Sequence, residues 1–419
     1  MEPIRAFAAT ESLPFDQHAE RVLTRFRSAL ARVIESLPGD THRAQELARA
    51  LGIDKTLSWR IANLVRVADP FEAAQHVPGT AGMRIFLRAA KKRDVPSELI
   101  DAARLAVREF DQLVEIHATD RTSLEMMLSS RARKGRERVD LEHRRAAFRA
   151  NSYLWGIQAR AQLKAHILHP SATDDALFDV VSVLGFVGLR RIRADVPWVV
   201  YRAKIADDDG VQRRVAAREP IDAGSDRAAD SVGAPLLRDF CTHPLPQLSR
   251  LVSPAGTVEF EIAGGEVGNT GAITCMLGEI ARNAGPCFRE EHNQFVELVA
   301  SVMTPCESLV FDQLVHRDLV DMGNAELAIY GALGGSTPPM TMDCHRFRLP
   351  VFEEVEPLGR GLNVLHTADV PRYVDLIRHV LQRVGWREED FTAYRAKLAF
   401  PPLSTSVVVR GELRSPTTD

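Results

Sequence analysis

The hydrophobic period changes partway along this chain, and that change constrains the fold more than any other feature. Within residues 16–37, Val22, Leu23, Phe26, Leu30, Val33, Ile34 and Leu37 recur at helical spacing, which predicts an amphipathic helix. A second helix is predicted after Pro96, with Ser97 as its cap and Leu99, Ala103, Ala106, Val107, Phe110, Leu113, Val114 and His117 on one face. A third is expected over about 140–166. Beyond about residue 175 the period becomes two. Residues 257–262 alternate strictly, which predicts a strand with one wet face. The β-branched or aromatic stretches 196–201, 309–315 and 406–409 are also expected to be strands. One late helix is capped by Asp369, has Pro371 in its first turn, carries Val374, Ile377, Val380, Leu381 and Val384 inward, and ends at Gly385. Residues 206–234 are polar and read as a loop or linker. The expectation is an α+β multidomain protein: an all-helical region over 1–170, and a mixed α+β domain over 171–419 whose topology the pattern does not assign.

Charge follows a similar division. Residues 1–170 hold 28 Lys+Arg against 21 Asp+Glu, whereas the remainder holds 25 against 35. A basic half joined to an acidic half places any polyanionic partner on the N-terminal side. No apolar stretch approaches a membrane span, and the N-terminus has no apolar core of a signal peptide. Five cysteines, at spacings of neither a disulfide framework nor a zinc site, fit a reducing compartment, so a cytoplasmic location is expected. Trp155, Trp198, Trp386 and the apolar run 178–189 read as core.

One segment carries a mechanism. Residues 43–66, RAQELARALGIDKTLSWRIANLVR, place Leu47, Ala48 and Leu51 on one helical face, then Gly52 where a tight turn needs positive φ, then Ile53 as a plug. A second helix starts near Asp54 and turns Leu57, Ile61 and Leu64 inward. This segment resembles the helix-turn-helix of bacterial DNA-binding regulators, in which the second helix enters the major groove. The resemblance covers about 24 residues. It implies that Lys55, Thr56, Ser58, Trp59 and Arg60 face DNA, while Leu47, Ala48, Gly52, Ile53 and Ile61 hold the hairpin. The chain departs from the usual pattern at Ser58, where a β-branched apolar residue is common and Leu57 stands one position early. Five basic residues within 131–138 (Arg131, Arg133, Lys134, Arg136 and Arg138) are candidates for phosphate contact, although a solvated loop is the simpler reading.

Other signals resolve against function. Val315-His316-Arg317-Asp318-Leu319 copies part of a kinase catalytic loop, but no lysine lies between Lys204 and Lys397 to hold phosphates. The glycines at 265, 268 and 271, between the 257–262 strand and a possible helix over 272–283, do not form a dinucleotide fingerprint, and no P-loop occurs. His166 and His169, expected at a helix end, and the adjacent Cys344-His345 lack metal-ligand spacing. Cys241 and Cys306 have no recognisable catalytic partner. Neither a cofactor, a metal nor a catalytic residue is therefore assigned. The leading expectation is a transcriptional regulator that binds double-stranded DNA as a homodimer, its C-terminal domain sensing a small-molecule effector or driving oligomerisation. The alternatives are an enzyme or small-molecule-binding protein with polar groups near His316, Asp318, Cys344 and His345, and a self-assembling structural protein.

Overall fold

The structure, a computed structural model, describes residues 13–41, 43–131, 136–204, 218–222, 233–252, 257–291, 293–320, 322–331 and 344–415. Its contacts divide the chain into two units, Met1–Asp140 and Leu141–Asp419.

The N-terminal unit is helical: α1 (Phe15–Glu35), α2 (Ala44–Leu51), α3 (Lys55–Arg66), α4 (Pro70–Ala74), α5 (Thr80–Lys91), α6 (Ser97–His117) and α7 (Arg121–Ser129). A further helix, α8 (Arg136–Trp155), begins in this unit and continues past its end. The apolar stripe expected of α1 is the buried one: Val22, Leu23, Phe26, Leu30, Val33 and Ile34. It packs along α6, with the Phe26 and Phe110 ring centroids 5.7 Å apart. Leu47 and Leu51 of α2 and Ile61 and Leu64 of α3 join the same core. An amphipathic helix gains most of its stability from burying such a face, because an isolated helix of 8 or 12 residues is marginal in water.

The C-terminal unit is built on strands. They are β1 (Ile157–Pro170), β2 (Leu177–Arg191), β3 (Trp198–Lys204), β4 (Arg218–Pro220), β5 (Leu248–Val252), β6 (Thr257–Ile262) and β7 (Ile273–Pro286). The series continues with β8 (Phe295–Val302), β9 (Cys306–His316), β10 (Glu326–Gly331), β11 (Arg348–Leu349) and β12 (Val355–Arg360), then α9 (Tyr373–Val384), β13 (Phe391–Ala399) and β14 (Thr405–Glu412). Seven strands form one sheet in the order β12-β13-β9-β1-β2-β7-β4; β11-β10-β14-β8 and β3-β6-β5 form two smaller sheets. Every pairing in the large sheet is antiparallel except β1 with β9. One face of β1 (Ala159, Ala161, Leu163, Ala165, Ile167) lies in a core with Val181 and Val183 of β2 and Ile377 and Val380 of α9. The opposite face contributes Leu168 to a second core with Leu309 and Phe311 of β9, Leu298 and Ala300 of β8, and Val407 and Val409 of β14.

Several expectations change. The helix over 140–166 ends at Trp155, and 157–170 is strand β1, so the units part at residue 140 and not at 170. Residues 157–167 in fact alternate, with Ile157, Ala159, Ala161, Leu163, Ala165 and Ile167 apolar and the residues between them polar, a period of two that the expected helix passed over. The possible helix over 272–283 is strand β7. Arg372, at φ 57°, precedes Tyr373, so Asp369 and Pro371 lie outside α9, whereas Gly385 ends it at φ 76° as expected. The expected core residue Trp155 is half exposed. Residues 206–217 and 223–232 of the expected 206–234 loop lie outside the described residues, and 218–220 within it form β4.

Candidate nucleic-acid interface

The segment 43–66 folds as the spacing predicts. Gly52 closes α2 at φ 64°, its N–H bonded to the Ala48 carbonyl at 2.8 Å; Ile53 N–H reaches the same oxygen at 3.2 Å. A residue with a Cβ is disfavoured at that φ, which is why glycine stands there. The Asp54 carboxylate then caps α3, accepting from Thr56 N–H at 2.7 Å and Leu57 N–H at 3.2 Å. Those bonds to the charged form hold its carboxyl below the ordinary aspartate range.

The other end of α3 is fastened by α1. Arg27 donates to the carbonyls of Leu64 (2.9 Å), Val65 (3.2 Å), Ala68 (3.1 Å) and Val67, groups that a helix terminus leaves without intrahelical partners. Arg27→Ala is expected to destabilise the N-terminal unit by roughly 1.5–3 kcal/mol, the usual worth of hydrogen bonds to a charged group. Faster amide exchange in the last turn of α3 than in α6 would report it.

With both ends anchored, α3 turns Ile61 and Leu64 inward and leaves Lys55, Thr56, Trp59, Arg60 and Arg66 exposed. Among the described residues, Lys55, Arg60 and Arg66 form no ion pair; Arg66 donates to the Asn63 side chain at 2.5 Å. Trp59 is 52% exposed and meets the edge of the His76 ring at 5.2 Å. Burial, and then the positive charges of Arg138, Arg60 and Arg66, hold the His76 imidazole below the usual histidine range. Three arginines from α3 and α8 thus converge electrostatically on one ring beside an exposed tryptophan. The arrangement can present donors and an aromatic face to an anionic, stackable polymer.

Ser58 is a correction. It was expected to face DNA but is buried, its Oγ donating to the Asp54 carbonyl at 2.9 Å. The shift follows from Leu57 standing one position early, which rotates α3 so that Ser58 meets the hairpin. Of the basic run, Arg131 is exposed and ion-paired with Asp16 at 3.0 Å. Arg136 opens α8, and Arg138 donates to the Gln75 side chain at 2.8 Å. Arg133 and Lys134 lie outside the described residues. Arg66 and His76 were not anticipated. Arg66 follows Trp59 by seven positions, hence on the same helical face, and that spacing was the available signal.

Of the alternative polar group, the structure describes the side chains of His316 and Asp318. His316 Nδ1 lies 3.5 Å from the Asp318 carboxylate, but its ring packs at 4.7 Å on His169, which is stacked on Trp386. The side chains of Cys344 and His345 lie outside the described residues. His166 and His169, three apart on a strand, point to opposite faces of the sheet. Cys241 and Cys306 are buried, and burial pushes the Cys306 thiol up to about 12. No helix among the described residues is long and apolar enough to cross a membrane. No protein-family model, no curated protein and no solved structure matches this chain.

Proposed function

We propose that this protein binds double-stranded DNA through a helix-turn-helix formed by α2 and α3, acting as a transcriptional regulator. The observation that carries the reading is α3 itself: fixed at one end by Asp54 and at the other by Arg27, it holds Lys55, Arg60 and Arg66 exposed and without ion pairs among the described residues. Rigid placement matters because base reading depends on donors held within hydrogen-bonding reach of the groove edges. The argument rests on this local surface. Residues 1–140 hold 23 Lys+Arg against 20 Asp+Glu, a smaller excess than over 1–170.

Lys55, Thr56, Arg60 and Arg66 would contact the duplex, with Trp59 packing against sugar or base. Arg138 would hold a neighbouring phosphate. A single module makes few contacts, so paired half-sites about 34–36 Å apart, occupied by two copies of the chain, are the expected target. Fluorescence anisotropy of the full chain with labelled genomic duplex tests the reading. Binding should weaken between about 50 and about 200 mM salt with a log–log slope near −3 to −4, as roughly four phosphate contacts require. Absence of binding at the lower salt, with the protein folded, overturns it.

A further inference from the structure

The two most exposed of the large apolar side chains among the described residues, Tyr153 and Leu154 at 74% and 66%, are neighbours at the end of α8, and Trp155 beside them is half exposed. Successive helical residues lie about 100° apart, so together they leave about 200° of the helix end apolar and in water. The chain holds this end in place. Gly156 N–H bonds to the Ser152 carbonyl at 2.9 Å, and the Gly156 carbonyl accepts from Ile192 N–H at 2.8 Å and Arg193 N–H at 3.3 Å, just past β2. Arg193 Nη2 donates to the Leu154 carbonyl at 2.8 Å. The Trp155 ring meets Trp198 edge to face at 5.9 Å, and Trp198 Nε1 donates to the Thr304 hydroxyl at 2.8 Å. Residues 264–268 border the same stretch, with Gly265 N–H on the Ala194 carbonyl at 3.0 Å and Gly268 N–H on the Arg191 carbonyl at 2.9 Å. Ile192 and Val267 are exposed there. Three chain segments thus form one apolar surface on a fixed backbone.

Its size and its rim both bear on what covers it. The five side chains leave on the order of 500 Å² of apolar surface in water, near the upper limit for a chain that stays single. One partner in a stable complex contributes roughly 800 Å², which the patch and its polar rim together can reach. The rim is balanced in charge. Arg149, one turn before Tyr153, and Arg193 are exposed, as are Asp195 and Glu266, and none of the four forms an ion pair among the described residues. A rim of one sign would suit an anionic membrane or a nucleic acid. Two cations and two carboxylates, unsatisfied within one copy, suit the same surface turned to face itself.

We propose that this surface joins two copies of the chain about a two-fold axis, with Tyr153, Leu154 and Trp155 as its anchors and Arg193 of each copy set against Glu266 of the other. Tyrosine, tryptophan and arginine are the residue types that carry most of the affinity in such contacts. The inference goes beyond the DNA-binding reading, since it concerns the other unit and holds without DNA. It would also supply the second copy that paired half-sites require.

Sedimentation equilibrium of the full chain, with no DNA present, tests the proposal. A reversible dimer is expected, with a dissociation constant below about 100 μM. Leu154→Asp should raise that constant at least about thirtyfold, with thermal unfolding as the control for its fold. Arg193→Glu and Glu266→Arg should each weaken the dimer at least about tenfold, because each sets like charges against each other twice. An equimolar mixture of those two variants should dimerise again, since one copy then carries two carboxylates and the other two guanidinium groups at the facing positions. That recovery cannot come from a variant that fails to fold. A monomer at about 100 μM, an unchanged constant in folded Leu154→Asp, or single variants that stay apart when mixed would each overturn the proposal. A monomer that binds phosphatidylglycerol vesicles and loses them on Leu154→Asp would overturn it in favour of a membrane surface.

Discussion

Replacing Lys55, Arg60 and Arg66 together by alanine is expected to lower affinity for duplex DNA by roughly 10²–10⁴, at about 1–2 kcal/mol for each lost contact. The salt slope should become shallower by about 2.7, close to 0.9 for each cation removed. All three side chains are exposed and lie outside the core, so the fold should be nearly unaffected. Circular dichroism and thermal unfolding provide that control. Arg131→Ala is the comparison, because Arg131 is already engaged by Asp16 and should change the slope far less. A triple variant that binds with an unchanged slope would remove α3 from the interface, whatever the affinity of the unaltered chain.

Arg395→Met carries the second large effect. Asp312 and Arg395 lie directly opposite on β9 and β13, joined by bonds of 2.8 Å from Nε and 2.7 Å from Nη2, and Arg395 also donates to the Leu365 carbonyl. Asp312 is fully buried; burial pushes its carboxyl above the usual range even against Arg395. Removing the arginine strands that charge, at an expected cost of about 3–5 kcal/mol. The sign with pH follows. A carboxyl raised in the folded state binds protons that the unfolded chain releases, so the loss should shrink as pH falls from 7 towards 5. Amide exchange in β9 and β13 of the full chain measures it. Removing both partners, in Asp312→Leu/Arg395→Met, should restore most of the stability, because an apolar pair leaves no buried charge.

The elements legible in the sequence were those with one wet face. α1, α6 and β6 alternate between core and solvent, so their periods show in the residue order. β7 did not show, because a covered strand allows apolar residues at adjacent positions, as at Cys275, Met276 and Leu277, and helix and strand then look alike; β1 does alternate over 157–167, and that period was there to be read. The hairpin at 43–66 was readable because Gly52 and Asp54 act locally, through φ and a cap. Its fastening by Arg27 was not, since nothing in α1 marks one arginine as reaching carbonyls some 40 positions away.

The parallel pairing of β1 with β9 has a consequence in time. The N-terminal core draws on residues no later than Leu128, so it can close soon after its last helix leaves the ribosome. Strand β1 follows almost at once, yet its partner β9 ends at His316, and β13, the next strand in the sheet, ends at Ala399. At about 5–20 residues per second, roughly 15–55 s separate the first core from the completed sheet. Through that interval β1 and β2 present apolar faces and an open edge to solvent or to a chaperone. A nascent chain released early would therefore carry a finished helical unit on an unfinished, adhesive sheet.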